Sequence, residues 1–100
     1  MRRAARVDAN HASIVKALRD AGCGVLDLSA VGKGCPDLLV HPPTYPECRI
    51  AVMLEVKDGS KPPSERKLTP AQVKFHAKWK GWISVVTSVD EALAAVGIIP

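Results

Sequence analysis

The run Ile50-Ala51-Val52-Met53-Leu54-Glu55-Val56-Lys57 is apolar enough for the inside of a sheet, yet it ends with a carboxylate and an ammonium two residues apart. Side chains of an extended strand alternate between faces, so Glu55 and Lys57 share one face while Val52, Leu54 and Val56 share the other. One face can build a core and the other a polar site. Asp37 stands in a parallel position, opening the apolar Asp37-Leu38-Leu39-Val40 after the turn-forming Gly32-Lys33-Gly34-Cys35-Pro36. Two neighbouring strands would bring both carboxylates together, and close carboxylates repel unless a cation lies between them.

At 100 residues the chain is read as one domain, able to bury roughly 60 to 70% of its unfolded surface without a disulfide staple. A net charge of +4 and a pI near 9.2 lean toward polyanionic partners. Cys23, Cys35 and Cys48 are odd in number and too far apart for a CxxC pair, and the three histidines have no ligand-like spacing. They are read as buried thiols of a reducing compartment in preference to a zinc site. No apolar segment approaches the roughly 20 residues of a membrane helix, and the Arg-rich start lacks the apolar stretch of a secretion signal. A soluble, cytoplasmic protein is expected.

A first helix is expected from Asp8 to Asn10, either of which can cap it, to Ala21, with Ile14, Val15 and Leu18 on one face and Gly22 as the stop. Val25, Leu26 and Leu28 suggest a first strand, Asp37 to Val40 a second, and Arg49 to Val56 a third, which Cys48 joins. The proline-rich stretch from His41 to Glu47 connects the last two. Asp58 through Lys67 offers nothing for a core and contains two adjacent prolines, which predicts a mobile surface loop, basic and placed to clamp a substrate.

The second helix has a full start signal: Thr69 as N-cap, Pro70 at the first position, Gln72 completing a capping box, and Leu68 with Val73 as a hydrophobic staple. It should run to about Lys80, with Gly81 stopping it. Trp82 to Val86 reads as a fourth strand, and Ser88 with Glu91 forms a second capping box for a helix through Val96, closed by Gly97. No internal repeat or low-complexity segment interrupts the sequence. The order helix, three strands, helix, strand, helix predicts a small α/β domain.

A divalent cation shared by Asp37 and Glu55 would suit Mg²⁺, which takes one or two carboxylates and completes its shell with water and phosphate oxygens. The carbonyl of Val56 could supply a further ligand. Lys57, about 7 Å along the strand from Glu55, could position an attacking water or stabilise charge growing on a phosphate. These roles describe phosphodiester hydrolysis. Plainer readings stand beside them. Glu55 and Lys57 could be a same-face ion pair, worth under about 1 kcal/mol if exposed, and Asp37 could belong only to its turn. The capping box alone accounts for Gln72. Lys61, Arg66, Lys67, Lys74, Lys78 and Lys80 could be ordinary solvated charge, and Trp79 and Trp82 fit core or interface better than base-stacking platforms.

Together, Gly34-Cys35-Pro36-Asp37, Leu54-Glu55-Val56-Lys57 and Leu68-Thr69-Pro70-Ala71-Gln72 resemble the PD-(D/E)xK nuclease superfamily, in particular its VRR-NUC (virus-type replication-repair nuclease) branch. The resemblance extends from the start of the first helix to the Ser88 to Leu93 segment. It implies a restriction-endonuclease-like α/β core, a central mixed sheet of about four strands flanked by helices in the order α-β-β-β-α-β-α. By position it makes Asp37 and Glu55 the metal ligands, Lys57 the catalytic lysine and Gln72 the supporting glutamine. Family members often carry a glutamate on the first helix, where this chain reads Asp8-Ala9-Asn10-His11, so Asp8, Asn10 or His11 would have to serve instead.

The expected activity is that of a Mg²⁺-dependent DNA endonuclease, with Mn²⁺ as a substitute, selecting junctions or flaps in phage-type replication, recombination or repair. Lys33, Lys61, Arg66, Lys67 and Lys74 are the candidate phosphate contacts. A homodimer is expected, because one site per chain cuts one strand. The Val96-Gly97-Ile98-Ile99 tail and the two tryptophans are its candidate contacts. The alternatives are a nuclease-derived DNA-binding module without catalysis, and a subunit of a larger assembly.

Overall fold

The computed structural model describes residues 8–43 and 50–98. Its elements are α1 (His11–Asp20), β1 (Gly24–Asp27), β2 (Leu38–His41), β3 (Val52–Val56), a 3-10 turn (Pro63–Glu65), α2 (Pro70–Lys78), β4 (Ile83–Val86) and α3 (Val89–Ala95). This is the expected α/β order. The four strands form one mixed sheet in the order β1-β2-β3-β4. β1 with β2 and β2 with β3 pair antiparallel, whereas β3 and β4 run parallel. α2 lies on the crossover that a parallel pair requires. Cys48 and Arg49 at the expected start of the third strand, the Pro-rich connection at 44–47, and Ile99 of the tail lie outside the described residues.

The core occupies one side of the sheet. Leu38 and Val40 of β2, Val52, Leu54 and Val56 of β3, and Val86 of β4 project to that side and meet Ile14 and Leu18 of α1 and Ala92 of α3. Alternation then assigns Leu39, Met53, Glu55 and Val85 to the opposite side. All five residues of β3 are buried, so its polar face is enclosed as fully as its apolar one. Cys23 joins the core, and burial pushes its thiol up.

Local signals fix the helix ends. α1 stops at Gly22, where Cys23 N–H returns to Leu18 O, and α3 stops at Gly97 with the equivalent bond from Ile98 N–H to Leu93 O. Asn10 occupies the N-cap position of α1 but makes no side-chain cap bond. At α2, Thr69 Oγ1 accepts from Gln72 N–H and Gln72 Oε1 accepts from Thr69 N–H, a complete capping box. α2 ends at Lys78, with Trp79 as C-cap, short of the expected Lys80. The box at α3 is displaced. Ser88 Oγ accepts from Glu91 N–H as expected, but Glu91 reaches past Ser88 to accept from the N–H and hydroxyl of Thr87.

The strands are shorter than their apolar runs. β3 begins at Val52, with Ile50 and Ala51 exposed, because β2 pairs only as far as Val40 opposite Val52. Leu28 lies past β1, and Asp37 lies just before β2. The expected places of the tail and of the two tryptophans also change. Val96 is buried in the core and Ile98 packs against it, so the described part of the tail belongs to the chain's own interior. Trp79 and Trp82 are 45% and 65% exposed, so neither is a core residue. Among the described residues no helix is long and apolar enough to cross a membrane.

Candidate active site

A pocket of about 480 Å³ opens at the ends of β2 and β3 beside the start of α2, lined by residues that include Asp8, Asp37, Glu55, Val56, Lys57 and Gln72. Four of these are the residues singled out by sequence for catalysis. Antiparallel pairing of Leu38 with Leu54 sets the register, and the next residue on each strand, Asp37 and Glu55, therefore falls on the same polar side. Asp37 is fixed through both its backbone and its side chain. Its carbonyl accepts from Leu28 N–H at 2.7 Å, and its Oδ2 accepts from Val56 N–H at 2.7 Å. That second bond replaces the one the sheet would make had β2 begun a residue or two earlier. An extended residue directs its N–H and C=O to the same edge, so the Val56 carbonyl faces the Asp37 side of β3.

Glu55 is 1% exposed. Burial, a hydrogen bond with the Asp37 carboxyl, and repulsion by Asp37 push its carboxyl up to about 8, against the pull of Lys57. Asp8 adds to the upward push. Both Glu55 oxygens have partners on α2: Gln72 Nε2 donates to Oε2 at 3.1 Å, and His76 Nε2 lies 3.3 Å from Oε1. Burial and the nearby Lys57 ammonium hold His76 below its ordinary value of 6.5.

Lys57 does not form the simple surface pair that its spacing from Glu55 allows. Its Nζ donates to Gln72 Oε1 at 2.8 Å. Gln72 Oε1 accepts from both Lys57 Nζ and Thr69 N–H, while its Nε2 serves Glu55. Two donors on one atom fix the orientation of the amide. Gln72 is thus cap and bridge at once, and the two explanations of this residue are compatible.

The turn before Asp37 brings α2 into place. Gly32, Lys33 and Gly34 all have positive φ, at 72°, 58° and 81°. A Cβ at Gly34 would lie 2.2 Å from Ala71 O and 2.9 Å from Gln72 N, so only glycine lets the turn pack directly on the first turn of α2. The contact explains why a glycine turn and a capped helix far apart in sequence converge on one pocket. Cys35, in the same turn, has its thiol pushed up by burial and then by the charges of Glu55 and Asp37. That keeps it protonated and a poor nucleophile.

Of the three residues offered as replacements for a first-helix glutamate, Asp8 alone lines the pocket. Asn10 Nδ2 instead donates to the carbonyls of Lys57 and Thr87, tying the start of α1 to the ends of β3 and β4. His11 Nε2 lies 3.0 Å from Asp27 Oδ2 on another side of the molecule. Burial resists ionisation of Asp27, but hydrogen bonds from Ser29 and His11 outweigh it and hold this carboxyl at about 2.

The candidate phosphate contacts divide. Lys61 lines the pocket, and Arg66 Nε donates to the Lys61 carbonyl, bracing the loop around the 3-10 turn. Lys33 and Lys74 line a separate groove, and Lys67 is exposed elsewhere. Reading the sequence missed His76, although it stands four residues after Gln72 and so shares its helix face.

Among the described residues no three His, Cys, Asp or Glu side chains converge as a protein-built metal cage would require. Two adjoining carboxylates with a backbone carbonyl do fit Mg²⁺, which keeps several water ligands and needs few from protein. The upward push on Glu55 has the same implication, since a cation placed between the two carboxyls would relieve it. Comparison of the chain with family models, curated proteins and solved structures gives no match.

Proposed function

We propose that this protein is a metal-dependent DNA endonuclease of the PD-(D/E)xK type, similar to the VRR-NUC branch. The observation that carries the proposal is the convergence of Asp37, Glu55 and Lys57 on one pocket, with Asp37 Oδ2 accepting from the N–H of Val56, the residue between Glu55 and Lys57. Asp37, Glu55 and the Val56 carbonyl would hold Mg²⁺, or Mn²⁺ in its place. When bound, the ion supplies Lewis acidity and lowers the pKa of a coordinated water. The chain's own residues do the rest. Gln72 holds the Lys57 ammonium beside the carboxylates, where its positive charge can meet a phosphate oxygen or the water that attacks it. Asp37, fixed through Leu28 and Val56, keeps one carboxylate in place as the substrate arrives. Lys61 adds a cation at the pocket wall. Phosphates would be bound mainly by charge, so shape selects the target, as for a junction or flap.

The test is cleavage of labelled linear, flap and four-way DNA in Mg²⁺ and Mn²⁺. Glu55→Ala and Lys57→Ala should each lower the rate by about 10²-fold or more while the protein remains folded by circular dichroism. A wild-type protein that binds these DNAs and cuts none would refute the proposal. It would favour the second reading, a DNA-binding module without catalysis, which has one observation behind it: both Glu55 oxygens are engaged by α2.

The proposal extends to a cytoplasmic setting in a bacterial or phage-infected cell and to a homodimer able to cut two strands. Support for self-association comes from the α2 side of the sheet, where Leu26 and Val85 are 57% and 47% exposed. A single monomeric species in sedimentation at concentrations that support paired cleavage would remove the dimer.

A further inference from the structure

Residues Ala71, Lys74, Phe75 and Lys78 follow one another at helical spacing along a stripe of α2 next to the one that carries Gln72 and His76, and the C-cap Trp79 continues it. With Lys33 from the glycine turn they line a groove of about 460 Å³. The groove has two chemical components. One is a stacked aromatic pair, Phe75 and Trp79, with ring centroids 5.4 Å apart and planes 18° from parallel. A Cβ at Gly81 would lie 2.6 Å from Trp79 Nε1, so the indole stacks on Phe75 with its Nε1 edge close against the bare Gly81 backbone. It remains 45% exposed. The other component is charge: Lys33, Lys74 and Lys78 surround the rings, no acidic residue lines the groove, and among the described residues none of the three is in an ion pair.

We propose that this groove binds an unpaired strand of DNA, stacking a base on Trp79 and setting the strand's phosphates against Lys33, Lys74 and Lys78. A stacked, half-exposed aromatic lined by cations is the arrangement that captures single strands, because every base has a face to stack and every link a phosphate to pair. Bases inside a duplex are already stacked and leave that ring unused. Ala71 borders this groove, whereas Thr69 and Gln72 border the active pocket. A strand crossing the first turn of α2 therefore passes from one to the other. The choice of DNA rests on the nuclease reading; the stacking and charge arguments do not.

The test is anisotropy of labelled oligo(dT) with the whole protein in EDTA, where no metal-dependent cleavage occurs, beside a blunt duplex of equal length. Oligo(dT) should quench tryptophan fluorescence. Trp79→Ala should weaken oligo(dT) binding about tenfold or more and leave duplex binding within about twofold, whereas Trp79→Phe should keep most of the affinity. Combining Lys33→Gln, Lys74→Gln and Lys78→Gln, all on the surface, should flatten the dependence of log affinity on log salt by about 2. Unchanged oligo(dT) binding by Trp79→Ala, an equal loss on duplex, or displacement by polyglutamate as readily as by unlabelled oligo(dT) would overturn the groove. Groove binding without cleavage would count against the nuclease reading alone, and cleavage without groove binding would count against the groove alone.

Discussion

Glu55 is 1% exposed, and burial together with the neighbouring Asp37 carboxyl pushes its own carboxyl up to about 8. Its raised folded-state value means that the native protein binds a proton the unfolded chain has released above 4.5. The associated stability is complete below 4.5 and is lost as pH climbs through about 8. In EDTA the melting temperature should therefore fall between pH 7 and 9, and Glu55→Gln should remove most of that fall. At lower pH His76, held below 6.5, acts in the opposite sense. Added Mg²⁺ should restore the wild-type melting temperature at pH 8.5 and leave that of Glu55→Gln nearly unchanged. Asp37, Glu55, Lys57 and Gln72 were legible in the sequence because strand alternation and capping are local rules. His76, the choice of Asp8 over Asn10 and His11, and the crosslink by Asn10 were not. They depend on how α2 and α1 dock against the sheet, which no local pattern specifies.

At the scale of elements, the starts of α2 and α3 were readable from their caps, while strand limits were not. A strand ends where its partner ends, and Asp37 shows the effect: it falls outside β2, and its side chain takes over the bond to Val56 that the ladder would have made. The glycine turn gives a sharper prediction. Gly32→Ala meets no atom within 4 Å, so its cost is that of a left-handed alanine, about 1–2 kcal/mol. Gly34→Ala bears the same cost and also drives a methyl into the Ala71 carbonyl. Cleavage should survive the first change and be lost in the second, with urea titration showing Gly34→Ala less stable than Gly32→Ala by about 1–3 kcal/mol. The two substitutions differ only in what lies opposite, so they isolate the seating of α2 from the conformation of the turn.

Across the whole molecule, apolar burial is one-sided. α1 supplies Ile14 and Leu18 to the core and α3 supplies Ala92, with its C-cap Val96 beside it, while α2 has no fully buried residue. Leu54→Ala, at the centre of that core, should cost about 2–5 kcal/mol in urea titration, a large part of the total a domain of this size possesses. The general α/β arrangement followed from the order of elements, but this asymmetry did not, because the apolar residues of α2 gave no sign that they would stay at the surface. α2 is seated instead by Gln72, His76 and the Gly34 backbone, contacts that belong to the pocket itself. Amide protons along α2 should accordingly exchange with deuterated solvent sooner than those of α1, through a partial opening that leaves the rest of the chain protected. A ligand that tightens the pocket would slow that exchange, making the helix a built-in reporter of occupancy.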